Sequence, residues 1–258
     1  EDPENDRFFP YASKSVSIAF DGNQTGRASG TESVYDTSNG NLIQQIDLGE
    51  VALNDDDVDS NGDYDGNGSF TDTGDDKITT NIEYAENTSK HIFSLPSKTE
   101  SKDQNKEIIG EQKTYYDNLA LGQVSAGNVT KTETRVTNSP LEYLTTETVY
   151  NSYGLPTDIL NARGYPTYIT YDSNNLYPQY ITNAKDQTTT YAYHPLFGVP
   201  EQVTDPNGMV SKTVFDGLGR VIETKVSNPD NPSQLITTSA TSYDFSSSPV
   251  SITATAYA

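Results

Sequence analysis

The sequence predicts an all-β protein that consists of an array of antiparallel β-hairpin repeats. Three observations support this fold class. The chain is rich in residues that favour strands, with 18 Tyr among its 258 residues. Polar and apolar residues alternate in many short segments, whereas apolar residues at helical spacing are scarce. Finally, a pair made of an aromatic residue and a following Asn, Asp or His recurs along the second half of the chain.

The alternating segments define the expected strands, and turn signals separate them. Strands are predicted at residues 42–51, 77–84, 128–136, 145–150, 188–193 and 210–215. Asn39-Gly40, Asp205-Pro206-Asn207-Gly208 and Asp216-Gly217 are typical turn sequences. The two histidines are assigned within this pattern: His91 to a strand with Ile92 and Phe93, and His194 to a turn.

The aromatic pairs set the length of one repeat. Tyr150-Asn151, Tyr171-Asp172, Tyr193-His194 and Phe215-Asp216 are separated by 21, 22 and 22 residues, and Tyr243-Asp244 follows 28 residues later. We attribute the additional length to a loop insertion around residues 228–232. A second turn lies 10 to 12 residues after the aromatic residue in each of the first three repeats. Each repeat is therefore strand, turn, strand, turn.

The aromatic residue at the end of each strand is predicted to form a structural spine. A single hairpin cannot hide its apolar face, but neighbouring hairpins can bury one another. Each spine ring is expected to stack on the equivalent ring of the next repeat, and the following Asp or Asn to accept backbone N–H groups of the turn. Turn glycines are expected at Gly154, Gly208 and Gly219. The spine residues are Tyr116, Tyr150, Tyr171, Tyr193, Phe215 and Tyr243.

The chain divides into three expected regions. An N-terminal strand segment covers residues 1–34. A hairpin region with an acidic insertion at residues 54–77 covers 35–112, and the hairpin repeats occupy 113–258.

The acidic insertion contains a candidate calcium loop. Residues 55–76 hold nine Asp and no Glu, Lys or Arg. Asn61, Asp63, Asp65, Ser69 and Asp72 stand at positions 1, 3, 5, 9 and 12 of an EF-hand-like pattern, with Gly at position 6. Ca²⁺ prefers such oxygen ligands, and a structural role is expected because no helices flank the loop. The alternative is a solvated acidic loop without a metal.

Charge and composition argue against several classes of function. The formal net charge is −21 and there is no Cys, so nucleic-acid binding, insertion into anionic membranes and thiol chemistry are not expected. Asp72-Thr73-Gly74 matches the tripeptide of aspartic proteases, but the second copy that such a site needs is missing. Neither a Gly-x-Ser-x-Gly elbow nor a phosphate loop occurs. We therefore expect a protein that is not an enzyme.

The repeat residues resemble a known family. The segment from Tyr193-His194 to Val221, with Asp205-Pro206-Asn207-Gly208 and Phe215-Asp216-Gly217-Leu218-Gly219-Arg220, resembles the YD repeat of RHS proteins. Residues 8–11, 113–117 and 121–131 resemble the RHS region of insecticidal Tc toxin B/C components. In such proteins repeated hairpins form a large hollow β-shell that, in the toxins, encloses an effector. The resemblance thus implies a strip of a large curved sheet or shell, although 258 residues are too few to close one.

Two functions follow as expectations. The first is a non-catalytic wall segment of an exported RHS/Tc-toxin-like protein, whose shell encloses or carries a toxic cargo and whose partner is the remainder of a larger polypeptide or toxin complex. The second is a self-standing extracellular structural or adhesive module that polymerises with copies of itself by β-strand addition. Both place the protein outside a bacterial cell or on its surface. A carbohydrate-binding surface of exposed Tyr is a third, weaker hypothesis.

Overall fold

The expected all-β hairpin array is confirmed. The computed structural model describes residues 11–19, 27–53, 69–138, 140–246 and 251–257. Within these residues the chain forms 18 β-strands and one 3-10 turn, Thr88–Lys90. Neighbouring strands pair in antiparallel fashion. The chain divides into two compact units, residues 1–147 and 148–258, whereas the three regions expected from the sequence stay a prediction.

The first unit contains longer strands of varied length, and the last of them extends past the unit boundary. Its strands are β1 Lys14–Ala19, β2 Arg27–Tyr35, β3 Leu42–Leu53, β4 Phe70–Asp72, β5 Ile78–Asn87, β6 Ile92–Lys102, β7 Ile108–Tyr116, β8 Val129–Asn138 and β9 Leu141–Tyr150.

The second unit contains mostly short strands in regular succession. These strands are β10 Pro156–Leu160, β11 Pro166–Tyr171, β12 Pro178–Thr182, β13 Thr188–Tyr193, β14 Pro200–Thr204, β15 Val210–Phe215, β16 Val221–Asn228, β17 Asn231–Asp244 and β18 Ser251–Ala256. The strands predicted at 188–193 and 210–215 coincide with β13 and β15, because alternation and turn residues bound them on both sides.

Register keeps like residues on one face of the second unit. Ile169 pairs with Ile181 across β11 and β12, and Tyr191 pairs with Val203 across β13 and β14. All four side chains are half-buried. Among the described residues of this unit, Ser227 alone is fully buried, and no apolar side chain is.

The first unit, in contrast, has buried apolar clusters. One consists of Ala28, Leu48 and Val51, with Ile18 and Phe70 packed against it. These residues come from β1 to β4, so four successive strands share one small core.

A second cluster is closed by the long loop between β7 and β8. Val124 in this loop packs with Ala85 of β5 and Tyr116 of β7. The Asn87 amide donates to the Val124 carbonyl at 2.8 Å, which fastens the loop to the end of β5. This loop therefore covers Ala85, whose exposed fraction is 0%.

Two expectations from the sequence are wrong. His91 does not lie in a strand: it adopts a left-handed conformation with φ 56° and ends the 3-10 turn, one residue before β6 begins. The additional length before Tyr243 is not a loop insertion either. It lengthens the hairpin of β16 and β17, which have 8 and 14 residues, because continued pairing satisfies the backbone groups that a loop would leave to solvent.

Candidate functional site

The repeated element of this protein is the end of each strand that carries a spine aromatic residue. Tyr116 is buried, with an exposed fraction of 5%, and the other five spine residues are half-buried. Five of the six are the last residue of their strand, and the sixth is the penultimate residue of β17. That these six residues stabilise the fold stays a prediction.

A β-bulge precedes most of these aromatic residues. The register shifts immediately before Tyr116, Tyr171, Tyr193 and Phe215. A bulge bends the strand and redirects the next side chain. The bulge therefore sets the position of the aromatic ring, and no residue type in the sequence predicts the bulge.

The tyrosine hydroxyl ties the strand end to the preceding neighbouring strand. Tyr116 donates to the Pro96 carbonyl at 2.8 Å, and Tyr171 donates to the Pro156 carbonyl at 3.0 Å. Burial raises the pKa of both phenols above the ordinary value. The hydroxyls therefore stay protonated and act as donors, which explains the use of Tyr rather than Phe at these positions.

At two other spine positions, the ring packs against an aromatic residue of the turn that follows the previous spine residue. Tyr193 stacks on Tyr177, with centroids 4.6 Å apart and planes at 17°. Phe215, which lacks a hydroxyl, contacts the Phe197 ring edge-to-face at 6.3 Å. At these positions the partner is thus a turn aromatic residue and not the equivalent spine ring that the sequence predicted. The β-bulge before each of these two spine residues redirects its ring.

The residue after each spine aromatic organises the turn, as predicted. The Asn151 side-chain oxygen accepts the backbone N–H groups of Tyr153 and Leu155 at 2.9 and 3.1 Å. His194 substitutes for the acid: its Nδ1 accepts the Leu196 N–H at 3.3 Å, so its assignment to a turn is confirmed. Gly154, Gly208 and Gly219 have φ of 76°, 83° and 79°, a region that glycine enters without strain.

One turn of the second unit carries a charged and aromatic cluster. Arg220 donates to Asp216 at 2.7 Å and lies over the rings of Tyr243 and Phe245 at 4.2 and 4.8 Å. The guanidinium and two backbone N–H groups lower the pKa of Asp216. The cluster connects the β15–β16 turn to the end of β17.

Asp117 organises the long loop of the first unit. Its carboxylate accepts four backbone N–H groups, from Ser125, Ala126, Gly127 and Asn128, at 2.7 to 3.1 Å. Partial burial raises the pKa of Asp117, but these donors outweigh burial and leave the pKa below the ordinary value. The sequence placed Tyr116-Asp117 in the pattern without indicating that this acid holds a whole loop.

A ladder of polar side chains joins β7 and β9 of the first unit, which lie on either side of β8. The Lys113 ammonium donates to the Tyr143 hydroxyl at 3.0 Å, and this hydroxyl donates to Glu111. Contact with Tyr143 and Glu111 raises the pKa of Lys113. Burial raises the pKa of Glu111, but the hydrogen bonds from Tyr143 and Lys113 lower this pKa by more. The net result is a pKa below the ordinary value. The opposite charges of Lys113 and Glu111 lie 3.1 Å apart and compensate each other, which is consistent with a structural role for this part of the sheet. No pattern in the sequence predicted this ladder.

The candidate calcium site lies mainly outside the described residues. Asn61, Asp63 and Asp65 belong to the part of the chain, residues 54–68, that the structure does not describe. Ser69 precedes β4, and Asp72 ends β4 and accepts the Gly74 N–H at 3.2 Å. Elsewhere in the described ranges, no group of three or more His, Asp or Glu could hold a metal. Calcium binding stays a prediction.

The fold is similar to solved structures of toxin components. The crystal structure of TcdB2-TccC3 matches 90% of this chain with a TM-score of 0.64 and 15% sequence identity. The crystal structure of TcdB2-TccC3-TEV matches 90% with a TM-score of 0.65 and 15% identity. The Photorhabdus luminescens Tc holotoxin pore overlaps less well, with 14% identity over 95% of this chain, 14% of that chain and a TM-score of 0.42.

The chain corresponds to 16% of the length of each of the two crystal structures. No protein-family model matches it, and no curated protein sequence does. The resemblance to the RHS region of Tc toxins, first seen in the repeat residues, is confirmed at the level of the fold.

Proposed function

We propose that this chain is a non-catalytic structural segment of an exported RHS/Tc-toxin-like protein, forming part of the wall of a β-shell that encloses or carries a toxic cargo. The observation that carries the proposal is the hairpin array, which shares its fold with one sixth of the TcdB2-TccC3 structure. Acceptor side chains in the turns and aromatic residues at the strand ends give this array a repeating, extendable construction.

The state of the apolar residues supports a role as part of something larger. In the described residues of the second unit, apolar side chains such as Ile169, Ile181 and Val203 are only half-buried. Burying the remaining exposed area of these side chains against another surface is favourable by roughly 25 cal/mol per Å² of apolar area. The remainder of a larger RHS-type polypeptide or toxin complex is the partner that this role implies.

The remaining parts of the proposal follow from the same role. The protein acts outside the cell that makes it, as an exported bacterial protein, and Ca²⁺ at Asn61, Asp63, Asp65, Ser69 and Asp72 clamps the acidic insertion. Among the described residues, no helix has the length and apolar composition needed to cross a membrane. The prominent titratable groups Asp117, Glu111 and Asp216 are engaged in loop, ladder and turn contacts, which is consistent with a structural role.

The test is the native size of the species that contains this segment, measured in producing cells and their medium. An antibody against residues 145–226 would be used with denaturing and native sizing. We expect the epitope in a polypeptide many times larger than 28.2 kDa. A 28.2 kDa chain found alone in a regular high-mass assembly would contradict the shell role. That outcome favours the alternative, a building block that polymerises by strand addition.

A further inference from the structure

The second unit has two rims of turns that share one backbone design but differ in their side chains. The turns after β9, β11, β13 and β15, together with the described residues 245–246 of the turn after β17, form what we call the aromatic-end rim. The turns after β10, β12, β14 and β16 form the opposite rim. In most turns of both rims, the first residue accepts the N–H of the third. This holds for Tyr153, Leu196, Leu218 and Ser246 at the aromatic-end rim and for Arg163, Lys185, Asn207 and Asp230 at the opposite rim.

This comparison isolates the side chain at the third turn position. The backbone hydrogen bond is the same at both rims, so the turn itself does not require an apolar residue there. The opposite rim places charged or amide side chains at this position in all four turns. The aromatic-end rim places Tyr or Leu there in three of its five turns, and Asn174 and Ser246 in the other two. The difference therefore needs an explanation other than turn formation.

The apolar side chains at the aromatic-end rim project into solvent. Leu196 and Leu218 are 82% and 76% exposed, and Tyr153 is 71% exposed. Leu176 and Phe245, at the fifth and second positions of the remaining two turns, are 64% and 60% exposed. Among the described residues of the opposite rim, Tyr165 is the one large apolar side chain of comparable exposure, at 57%. A contiguous series of exposed apolar side chains marks an interaction surface, while single ones do not.

The spacing and charge of this rim suit contact with an identical rim. Successive turns on one rim are two strands apart, about 9.6 Å, so the side chains of a second copy can enter the gaps. The charged residues in these turns are three carboxylates and one guanidinium, and Asp216 and Arg220 pair with each other at 2.6 Å. Little charge is therefore buried when two rims meet, although the chain as a whole carries −21.

The area is sufficient for a stable contact. Five exposed side chains of this size offer on the order of 120 Å² each, or about 600 Å² per rim. Two rims then bury about 1,200 Å² in total, the lower end of the range for specific protein interfaces.

We propose that the aromatic-end rim of the second unit is a docking surface for the same rim of a second copy of this chain. Tyr153, Leu176, Leu196, Leu218 and Phe245 of each copy interdigitate around a two-fold axis. This proposal does not depend on the shell role, since it concerns the surface of the 258-residue chain itself.

Analytical ultracentrifugation of the 258-residue chain from 1 to 100 µM tests the proposal. We expect a monomer–dimer equilibrium that strengthens with salt, because salt screens the repulsion between two acidic chains. The double variant Leu196→Asp/Leu218→Asp should weaken the dimer at least 100-fold. The matched control, Ala184→Asp/Asn207→Asp, adds the same two charges at the opposite rim and should leave the dimer unchanged.

A second measurement keeps the result interpretable if the double variant is unstable. The chain has no Cys, so a single introduced thiol reports proximity between copies. Leu196→Cys, in the middle of the five turns, should give an oxidised covalent dimer at low protein concentration, whereas Asn207→Cys should not. Circular dichroism would establish that both variants fold.

Three outcomes would overturn the proposal. The first is a chain that stays monomeric at 100 µM. The second is a dimer that the Leu196→Asp/Leu218→Asp variant leaves intact, which would indicate another surface such as a strand edge. The third is a monomer that floats with neutral phosphatidylcholine vesicles only when Leu196 and Leu218 are present, which would identify lipid as the occupant.

Discussion

The first and second units are built from the same antiparallel hairpins but bury their apolar residues to different extents. In the described part of the first unit, six apolar side chains are buried, in clusters that each draw on several strands, one of them closed by the loop after β7. In the described part of the second unit none is fully buried. Its strands are short, regular and closed by turns of one design.

The difference distinguishes local interactions from long-range burial as the means by which each unit is stabilised. Turn acceptors, bulges and neighbouring-strand pairs are local, and they suffice to define the regular repeats of the second unit. Full burial requires a covering element, and the loop held by Asp117 supplies one in the first unit. Substitutions should therefore cost more in the first unit than at equivalent positions in the second.

The largest expected effect concerns the spine. Tyr116→Ala should destabilise the first unit by about 3–5 kcal/mol, because it empties a buried site and removes the hydroxyl bond to Pro96. Tyr193→Ala should cost about 2 kcal/mol, since this ring is half-buried and keeps part of its contact with water. Urea unfolding followed by hydrogen exchange would measure both, and equal losses would remove the distinction between the units.

The next effect concerns the acids that organise turns. Asp117→Ala leaves four backbone N–H groups without their acceptor and should cost about 3 kcal/mol. Asp172→Ala in the second unit affects two N–H groups, those of Leu176 and Tyr177, and should cost about 1 kcal/mol. Amide exchange in residues 117–128 should accelerate only in the first variant. Unchanged protection there would show that the loop is held by its apolar contacts instead.

A smaller effect is expected on acidification, again larger in the first unit. The folded-state pKa values of Asp117, Glu100, Glu111 and Glu133 are lowered. A lowered pKa gives stability that is present above the unfolded-state pKa, near 4.5 for Glu and 3.8 for Asp, and that is lost as pH falls through the folded-state pKa.

Between pH 5 and pH 2 the first unit should therefore lose protection from hydrogen exchange before the second. The Glu111→Gln variant should reduce this pH dependence, while Glu201→Gln, a surface change in the second unit, serves as control. A second unit that opens first on acidification would contradict the expectation.

The smallest effect concerns turn glycines. Gly208→Ala introduces a side chain at φ 83° with no neighbour within 4 Å and should cost about 1 kcal/mol of backbone strain. Gly127→Ala, in the loop of the first unit, combines φ 93° with a 3.3 Å approach to Leu95, so its cost should be about 2 kcal/mol. Thermal melts of both variants would test whether packing adds to strain in the first unit alone.

The regular second half of the fold could be predicted because its signals are local. The alternation of polar and apolar residues predicted β13 and β15, and Asp205 and Asp216 predicted turns that the structure contains. The 28-residue interval before Tyr243 was misassigned as a loop insertion. A longer spacing by itself does not distinguish an insertion from longer strands, and pairing of β16 with β17 decides in favour of the strands.

The candidate site could be predicted only in outline. The aromatic–acid pairs indicated where the strands end, and the acceptor role of Asn151 and His194 followed from residue type. The stacking partner of Tyr193 did not, because a bulge redirects its ring onto Tyr177. The ladder of Glu111, Lys113 and Tyr143 could not be predicted either, because Tyr143 lies on β9 and the other two residues on β7, and only strand pairing aligns them.

The sequence by itself determined the all-β class, the repeat length and the turn chemistry of this protein. The strand class and the turn chemistry depend on residues within about ten positions of one another, the range over which strand propensity and turn acceptors act. The repeat length follows from the spacing of 21 and 22 residues between the aromatic pairs. The tertiary structure alone decided which side chains are buried, that the Asp117 loop covers Ala85, and that the apolar turn residues share one rim. Those properties depend on strand pairing and register between segments far apart in the chain, which local preferences do not encode.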